Sequence, residues 1–206
     1  MRRLIPAAAA ALALAFSAQA QTPAPASPVA PASVQPGRYK IEPNHTRVLF
    51  SVSHMGFTTY YGEFVGASGT LSLDPANIGA SHLDVSVPIG GILTPSDRLD
   101  TELKGADWFN AAQFPAMTFH STAITSTGPD TAEVTGDLTL HGVTKQVTLK
   151  AKFNAAGVNP LDKAYTTGFE VRGHISRSDF GVTKYVPLVG DDVHLIISVA
   201  FERAPS

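Results

Sequence analysis

The chain has 206 residues, with 15 basic and 17 acidic side chains, 44% hydrophobic residues and no cysteine. The absence of cysteine excludes a disulfide framework, a thiolate metal site and a lipid anchor at the cleavage point of a leader. The formal charge of −2 and the lack of any dense basic run argue against nucleic acid or an anionic membrane surface as a main partner.

The first twenty residues have the pattern of a secretory signal. Arg2 and Arg3 precede an apolar run that ends at Phe16, and Ser17-Ala18-Gln19-Ala20 supplies the small residues of a cleavage site. We expect general secretion and cleavage after Ala20. A twin-arginine signal stays open, although the polar residue that usually precedes the pair is absent. The apolar run is too short to cross a membrane, so we predict a periplasmic protein with no transmembrane segment in its mature chain.

Residues 21–36 are mostly proline, alanine, serine, threonine and glutamine, and this composition favours extended, mobile backbone. We interpret them as a flexible tether. Residues 37–203 have the size of one domain, and residues 204–206 form a short tail. Removal of the leader takes away two arginines and leaves 13 basic against 17 acidic residues, a formal charge of about −4.

Alternation of apolar and polar residues with period two dominates the domain and predicts about eight strands. The segment His141-Gly142-Val143-Thr144 predicts a hairpin between two of them. The expected inward faces carry Val48, Phe50, Val52 and His54; Leu71 and Leu73; Leu83, Val85 and Val87; Met117, Phe119, Ser121 and Ala123; Val134, Leu138 and Leu140; Val147, Leu149 and Phe153; Phe169, Val171 and Ile175; and Val193, Leu195, Ile197, Val199 and Phe201.

One segment interrupts the strands and predicts a short helix. Thr94 has the character of an N-cap, followed by Pro95 at the first helical position and an acid three residues after the cap. Leu99 and Leu103 would share a face, and Gly105 would end the helix. The sequence therefore predicts an all-β, antiparallel domain with a short helical insertion, and we favour a closed barrel over a sandwich.

Several motifs, in order, resemble the YceI-like family from Tyr39 to Phe201. They include Tyr39-Lys-Ile-Glu-Pro-Asn-His45-Thr46, Gly136-Asp-Leu138-Thr-Leu140-His-Gly142-Val-Thr144-Lys145 and Ile175-Ser-Arg177-Ser-Asp179-Phe180-Gly181. Glu42 and Thr46 depart mildly from the aspartate and serine that are usual there. The resemblance implies a lipocalin-like, extended β-barrel whose interior holds an isoprenoid, such as a quinone or polyprenyl phosphate tail, or another amphipathic lipid. The resemblance is also compatible with a homodimer.

A barrel that holds a lipid needs apolar and aromatic residues along its tunnel and at its mouth. Our candidates are Phe50, Val52, His54, Phe64, Leu71, Val85, Trp108, Phe109, Phe114, Phe119, Phe169, Val171 and Phe180. For the lipid head group the candidates are His45, Arg177 and Asp179, together with His54. A salt bridge between Arg177 and Asp179 in a turn is the structural alternative for that pair, and a packed core without a cavity is the alternative for the wall.

The sequence has no recognisable catalytic or metal-binding motif. Its seven histidines form neither a His-x-His nor a His-x-x-x-His pair, although a fold could still gather His54, His120, His141 or His174. No Gly-x-Ser-x-Gly elbow is present. We therefore predict a binding protein with no catalytic residues, no metal and no cofactor other than bound lipid. A protein-interaction domain with a packed core and a metal-dependent enzyme remain as alternatives.

Overall fold

The computed structural model describes residues 30–205. The predicted signal, residues 1–20, and residues 21–29 of the predicted tether lie outside this range. The end of the predicted tether differs from the expectation, because Pro31–Ser33 form a short 3-10 helix and Val34 is buried. Val34 packs into the hydrophobic core, and the backbone N–H of Gln35 donates to the Tyr165 hydroxyl. The packing of Val34 and the hydrogen bond of Gln35 together attach the last residues before the domain to the barrel.

Ten strands and one α-helix make up the described chain. They are β1 (Gly37–His54), β2 (Thr58–Phe64), β3 (Ser68–Leu73), β4 (His82–Pro88), β5 (Ile92–Leu93), α1 (Asp97–Leu103), β6 (Ala116–Ser126), β7 (Thr131–Leu140), β8 (Val143–Val158), β9 (Tyr165–Ser176) and β10 (Val189–Arg203).

Eight of the strands close into an antiparallel barrel in the order β1-β3-β4-β6-β7-β8-β9-β10, with β10 returning to β1. β1 is long enough to pair with two different strands along the same edge. Its first residues, Gly37–Lys40, pair with β3, and Val48–His54 pair with β2. β2 in turn pairs with β5, so these two short strands extend the barrel wall at the end where β1 finishes. The prediction of an all-β, eight-stranded barrel with one helix is confirmed.

The two ends of the barrel differ in what covers them. At one end, here called the base, the start of β1 meets the end of β10, and Tyr39 is fully buried. Burial raises the pKa of Tyr39 to about 12, and its hydroxyl donates to the carbonyl of Gln35. The other end, the mouth, carries the β1–β2 turn, the segment from β5 to β6 that contains α1, and residues 181–188, here called the strap.

A hairpin joins β7 to β8, as the sequence predicted, and its turn has two residues. Leu140 pairs with Val143, and His141 and Gly142 have φ angles of +52° and +76°. Positive φ at both central residues is the type I′ conformation, which matches the twist of a hairpin. A Cβ at Gly142 would lie 2.5 Å from Phe114 Cε1, so glycine is required by both the backbone and the neighbouring ring.

The helix forms, but it begins two residues later than predicted. Ser96 is the N-cap, since its Oγ accepts the Leu99 N–H and its carbonyl accepts the Asp100 N–H at 3.0 Å. Thr94 stays outside the helix, where its Oγ1 accepts the Ser96 N–H at 3.2 Å and its own N–H donates to the Asp100 carboxylate at 2.7 Å. The acids of the first turn also suit the positive end of the helix dipole.

Candidate functional site

An apolar cavity of about 490 Å³ occupies the inside of the barrel. Its volume lies within the range of roughly 300–1,000 Å³ that is usual for small-molecule sites. All eight barrel strands contribute side chains to its wall. The cavity reaches the mouth, because Tyr185 of the strap is part of the wall and is also 55% exposed.

The inward side chains of β10 show that the interior is not filled. Val193, Leu195, Ile197 and Val199 line the cavity and are only partly buried, whereas Phe201, near the base, is buried. In a close-packed core such inward residues have few gaps around them. The packed-core interpretation of the alternation therefore does not describe this barrel.

Most of the predicted wall residues lie on the cavity wall. Phe50 and Phe64 lie together, with ring centroids 5.6 Å apart, and Phe109 meets Phe64 edge to face at 5.7 Å. Contact with a ligand remains a prediction for all of them. The predicted residues that line the cavity are Phe50, Val52, His54, Phe64, Leu71, Val85, Trp108, Phe109, Phe119, Phe169 and Val171.

Two predicted aromatic residues do not line the cavity. Phe114 packs against the β7–β8 turn, where its ring lies 5.1 Å from the His141 ring. Phe180 is 1% exposed within the core, and its carbonyl accepts a hydrogen bond from His141 Nδ1 at 3.1 Å. Both residues pack against turns around the mouth and do not line the cavity wall, so for them only a position at the mouth remains as a prediction.

Arg177 is the buried cation of the cavity wall. Its Nε, Nη1 and Nη2 donate to the carbonyls of Gly190, Val182 and Val189, each at 2.8 Å. Burial lowers the pKa of Arg177, an effect that the nearby carboxylate of Asp191 opposes. A guanidinium has five N–H donors, so two remain beyond these three bonds. The guanidinium also lies 5.6 Å from the ring centroid of Trp108.

The other two head-group candidates lie away from the cavity. The side chain of His45 is 79% exposed, and its Nδ1 lies 2.7 Å from a Glu42 carboxylate oxygen. Asp179 is exposed in the turn after β9 and does not pair with Arg177, whose donors go to backbone carbonyls instead. The structure thus separates His45 and Asp179 from the site, and the alternative of a salt bridge between Arg177 and Asp179 is wrong.

The structure adds wall residues that the sequence analysis missed. Val182 and Tyr185 come from the strap, which has no periodicity that could reveal an inward face. Tyr60 lies on β2, two residues before Gly62 and four before Phe64. Because strand side chains alternate, the even spacing between Tyr60 and Phe64 could have predicted that both face the cavity.

Polar side chains on the cavity wall have hydrogen-bond partners near the base, whereas some of those at the mouth lack them within residues 30–205. Toward the base, Thr46 Oγ1 donates to the Glu42 carbonyl and accepts the Ala200 N–H, and Ser81 Oγ accepts the Asp74 N–H. At the mouth, the side chains of His54, Tyr60 and Tyr185 make no hydrogen bond to another part of residues 30–205. The free hydrogen-bonding capacity of the wall is therefore at the mouth.

The histidines that could have formed a metal site are dispersed. His120 Nδ1 lies 2.8 Å from Asp84, and His174 faces His194 across two strands at 6.4 Å between ring centroids. Over residues 30–205, no three His, Cys, Asp or Glu side chains come close enough together to hold a metal ion. None of the helices in the same range is long and apolar enough to span a membrane.

Comparison with known proteins assigns the chain to a family. The model of the YceI-like domain matches residues 39–201. The chain belongs to the YceI-like family. A UPF0312 protein of Ectopseudomonas mendocina is 38% identical over 155 residues, which are 75% of this chain and 81% of the relative.

Two solved structures share the YceI-like fold of this chain. BcnA of Burkholderia cenocepacia superposes with a TM-score of 0.70 at 24% identity, covering 78% of this chain and 98% of BcnA. A polyisoprenoid binding domain from Saccharophagus degradans superposes with a TM-score of 0.62 at 14% identity, covering 82% of this chain and all of that domain. At these identities the likeness concerns the fold.

Proposed function

We propose that this protein is an exported, periplasmic lipid-binding protein. It encloses the tail of an isoprenoid, such as a quinone or a polyprenyl phosphate, or of a similar amphipathic lipid. The observation that carries the proposal is the apolar cavity of about 490 Å³ inside the closed barrel. Each methylene group removed from water contributes about 0.8 kcal/mol, so an apolar wall of this extent can keep a long tail out of water.

The ligand's orientation follows from the distribution of polar groups. The tail occupies the barrel, and the head group stays at the mouth, near His54, Tyr60 and the two remaining donors of Arg177. The polar groups near the base already have protein partners, as Thr46 and Ser81 show. Membership of the YceI-like family and the structural likeness to a polyisoprenoid binding domain support this class of ligand.

The proposed activity is binding and carriage without chemical change. Within residues 30–205, no serine or threonine hydroxyl is hydrogen-bonded to a histidine, as an activated nucleophile would require. Export rests on the first twenty residues, which have the arrangement of a secretory signal. We expect the protein in the periplasmic fraction, with an intact mass that lacks residues 1–20.

The decisive experiment is native mass spectrometry of the full protein, expressed with its leader and purified without detergent. Solvent extraction then identifies any lipid that leaves the protein. Trp108, the single tryptophan of the chain, lines the cavity, so its emission should change as added quinone or polyprenyl phosphate enters. A lipid bound one to one supports the proposal. A protein that is reproducibly empty, with unchanged Trp108 emission on addition of either lipid, contradicts it.

A further inference from the structure

Exposed apolar side chains concentrate around the mouth of the cavity. Met55 and Phe57 occupy the β1–β2 turn and are 51% and 86% exposed. Tyr185, Val186 and Leu188 occupy the strap and are 55%, 36% and 60% exposed. The two segments touch, because the Met55 N–H donates to the Leu188 carbonyl at 2.7 Å. These five residues form one surface, here called the rim patch.

The rim patch is continuous with the cavity. Tyr185 belongs to both, and His54 and Val189, which flank the two segments, also line the cavity. Large apolar side chains exposed together on a soluble domain mark a surface that binds something. An apolar ligand that leaves the cavity at this end passes directly over the patch.

The charge of the rim patch is unlike that of the rest of the chain. Acidic residues outnumber basic ones overall, yet residues 55–62 carry no charge and the strap carries only Lys184. Lys184 turns toward Asp107 and Glu102, at 3.0 and 3.7 Å. Lipid phosphates repel carboxylates, and neither rim segment has one. The two rim segments therefore bring apolar side chains and no carboxylate of their own to a lipid surface, and Lys184 offsets part of the charge of Asp107 beside them.

We propose that the rim patch docks the mouth of the barrel on the surface of a lipid bilayer. The inference rests on the proposed function in one respect, since docking serves to pass a lipid between bilayer and cavity. A second protein copy over the patch would close the opening that the ligand uses, whereas a bilayer both covers the patch and supplies the ligand. Phe57 and Leu188 are the side chains that enter the lipid.

Flotation with zwitterionic phosphatidylcholine vesicles tests the proposal on the full protein. We expect the wild type to float, with little dependence on salt because the contact is apolar. The double variant Phe57→Ser with Leu188→Ser should lower the partition coefficient at least tenfold. Leu161→Ser is the matched control, because Leu161 is 91% exposed in the β8–β9 turn at the base, and it should float like the wild type.

A second variant reports docking by a spectroscopic signal, so that the test does not depend only on the loss of vesicle binding in the double variant. Phe57→Trp places a new indole on the rim. Its emission, taken as the difference from the wild type, which contains Trp108 alone, should shift to shorter wavelength and be quenched by brominated phosphatidylcholine. The inference is overturned if the wild type does not float, if the double variant floats equally well, or if the indole remains in water. It is also overturned if the wild type is a dimer that the double variant dissociates, because the patch would then bind a second copy.

The result separates docking from lipid binding. If the double variant takes up lipid supplied from solution as fully as the wild type but no longer floats, docking is established as a distinct property. If the wild type takes up lipid from solution but never floats, only the docking inference fails. If the wild type takes up no lipid in either format, the proposed function fails.

Discussion

Lys184 Nζ donates a hydrogen bond of 3.0 Å to Asp107 Oδ2 across 77 positions of the chain. The bond joins the strap to the segment that follows α1. Next to it, the rings of Trp108 and Tyr185 meet edge to face, with centroids 6.0 Å apart. Side-chain contacts thus hold these two parts of the mouth together, in contrast to the backbone ladder that closes the barrel below.

Lys184→Met should loosen the strap and speed the release of bound lipid at least threefold. The fold should persist, because exposed ion pairs contribute little to stability. Stopped-flow recording of Trp108 emission, as loaded protein meets an excess of empty acceptor vesicles, measures the rate. Lys150→Met removes an exposed lysine on β8 and serves as the control. An unchanged release rate in Lys184→Met would show that the strap does not limit exit.

Val171→Phe should fill part of the cavity and reduce lipid uptake severalfold. In a filled core, such an enlargement costs about 1–3 kcal/mol of stability. Because Val171 lines the cavity, we expect the free energy of unfolding to change by less than about 1 kcal/mol. Urea unfolding and lipid titration measure the two quantities, with Lys150→Phe on the outer face of β8 as the control. A large loss of stability would indicate a core without room.

Arg177→Met should lower the free energy of unfolding by roughly 3 kcal/mol, because three carbonyls around the strap lose a charged donor. Methionine retains an apolar stem but has no N–H group. Urea unfolding gives the change. Arg172→Met, at an exposed position on β9, should stay within about 0.5 kcal/mol of the wild type. Equal effects of the two substitutions would argue against a structural role for the buried guanidinium.

Asp191→Asn should remove part of the pH dependence of stability. The Ser178 hydroxyl and backbone N–H donate to the Asp191 carboxylate at 2.7 and 2.8 Å and lower the pKa of Asp191. A carboxyl with a lowered pKa stabilises the fold above its unfolded pKa of about 4, and this contribution is lost as the pH falls through the folded pKa. The free energy of unfolding should therefore be larger for the wild type than for the variant at pH 7, and the two values should converge in more acidic solution.

Urea midpoints measured between pH 7 and pH 3 test this convergence. Asp179→Asn is the control, because it removes an exposed carboxylate from the same turn without breaking the bonds to Ser178. A gap between wild type and Asp191→Asn that stays constant with pH would contradict the prediction.

Alternation predicted most of the barrel and most of its wall, because strand side chains point to opposite faces in turn. It failed where a bulge inserts a residue. In β6 the register shifts between Ser121 and Ala123, so Ile124 lines the cavity and the predicted Ala123 does not. No feature of the local sequence marks that position. Phe153 does not line the cavity either, although it keeps its inward position and packs against Phe169, with ring centroids 5.7 Å apart.

The mouth was less predictable than the barrel because tertiary contacts determine it. Arg177 was identified as a candidate, but its partners are backbone carbonyls that carry no sequence signal. Tyr185 reaches the cavity from a strap without periodicity. The helix begins after Ser96 and not after Thr94, because the Ser96 side chain caps it, and a capping pattern alone does not choose between two hydroxyl residues so close together.

The seam between β1 and β10 places Tyr39 opposite Arg203, so the first and last strands of the domain complete the barrel together. Contacts between such distant parts of a chain form late, because they carry a large entropy of loop closure. A chain made from its amino end therefore has no enclosed interior until its final strand arrives. In the finished protein, each round of loading and unloading has to pass through the mouth while the seam stays shut.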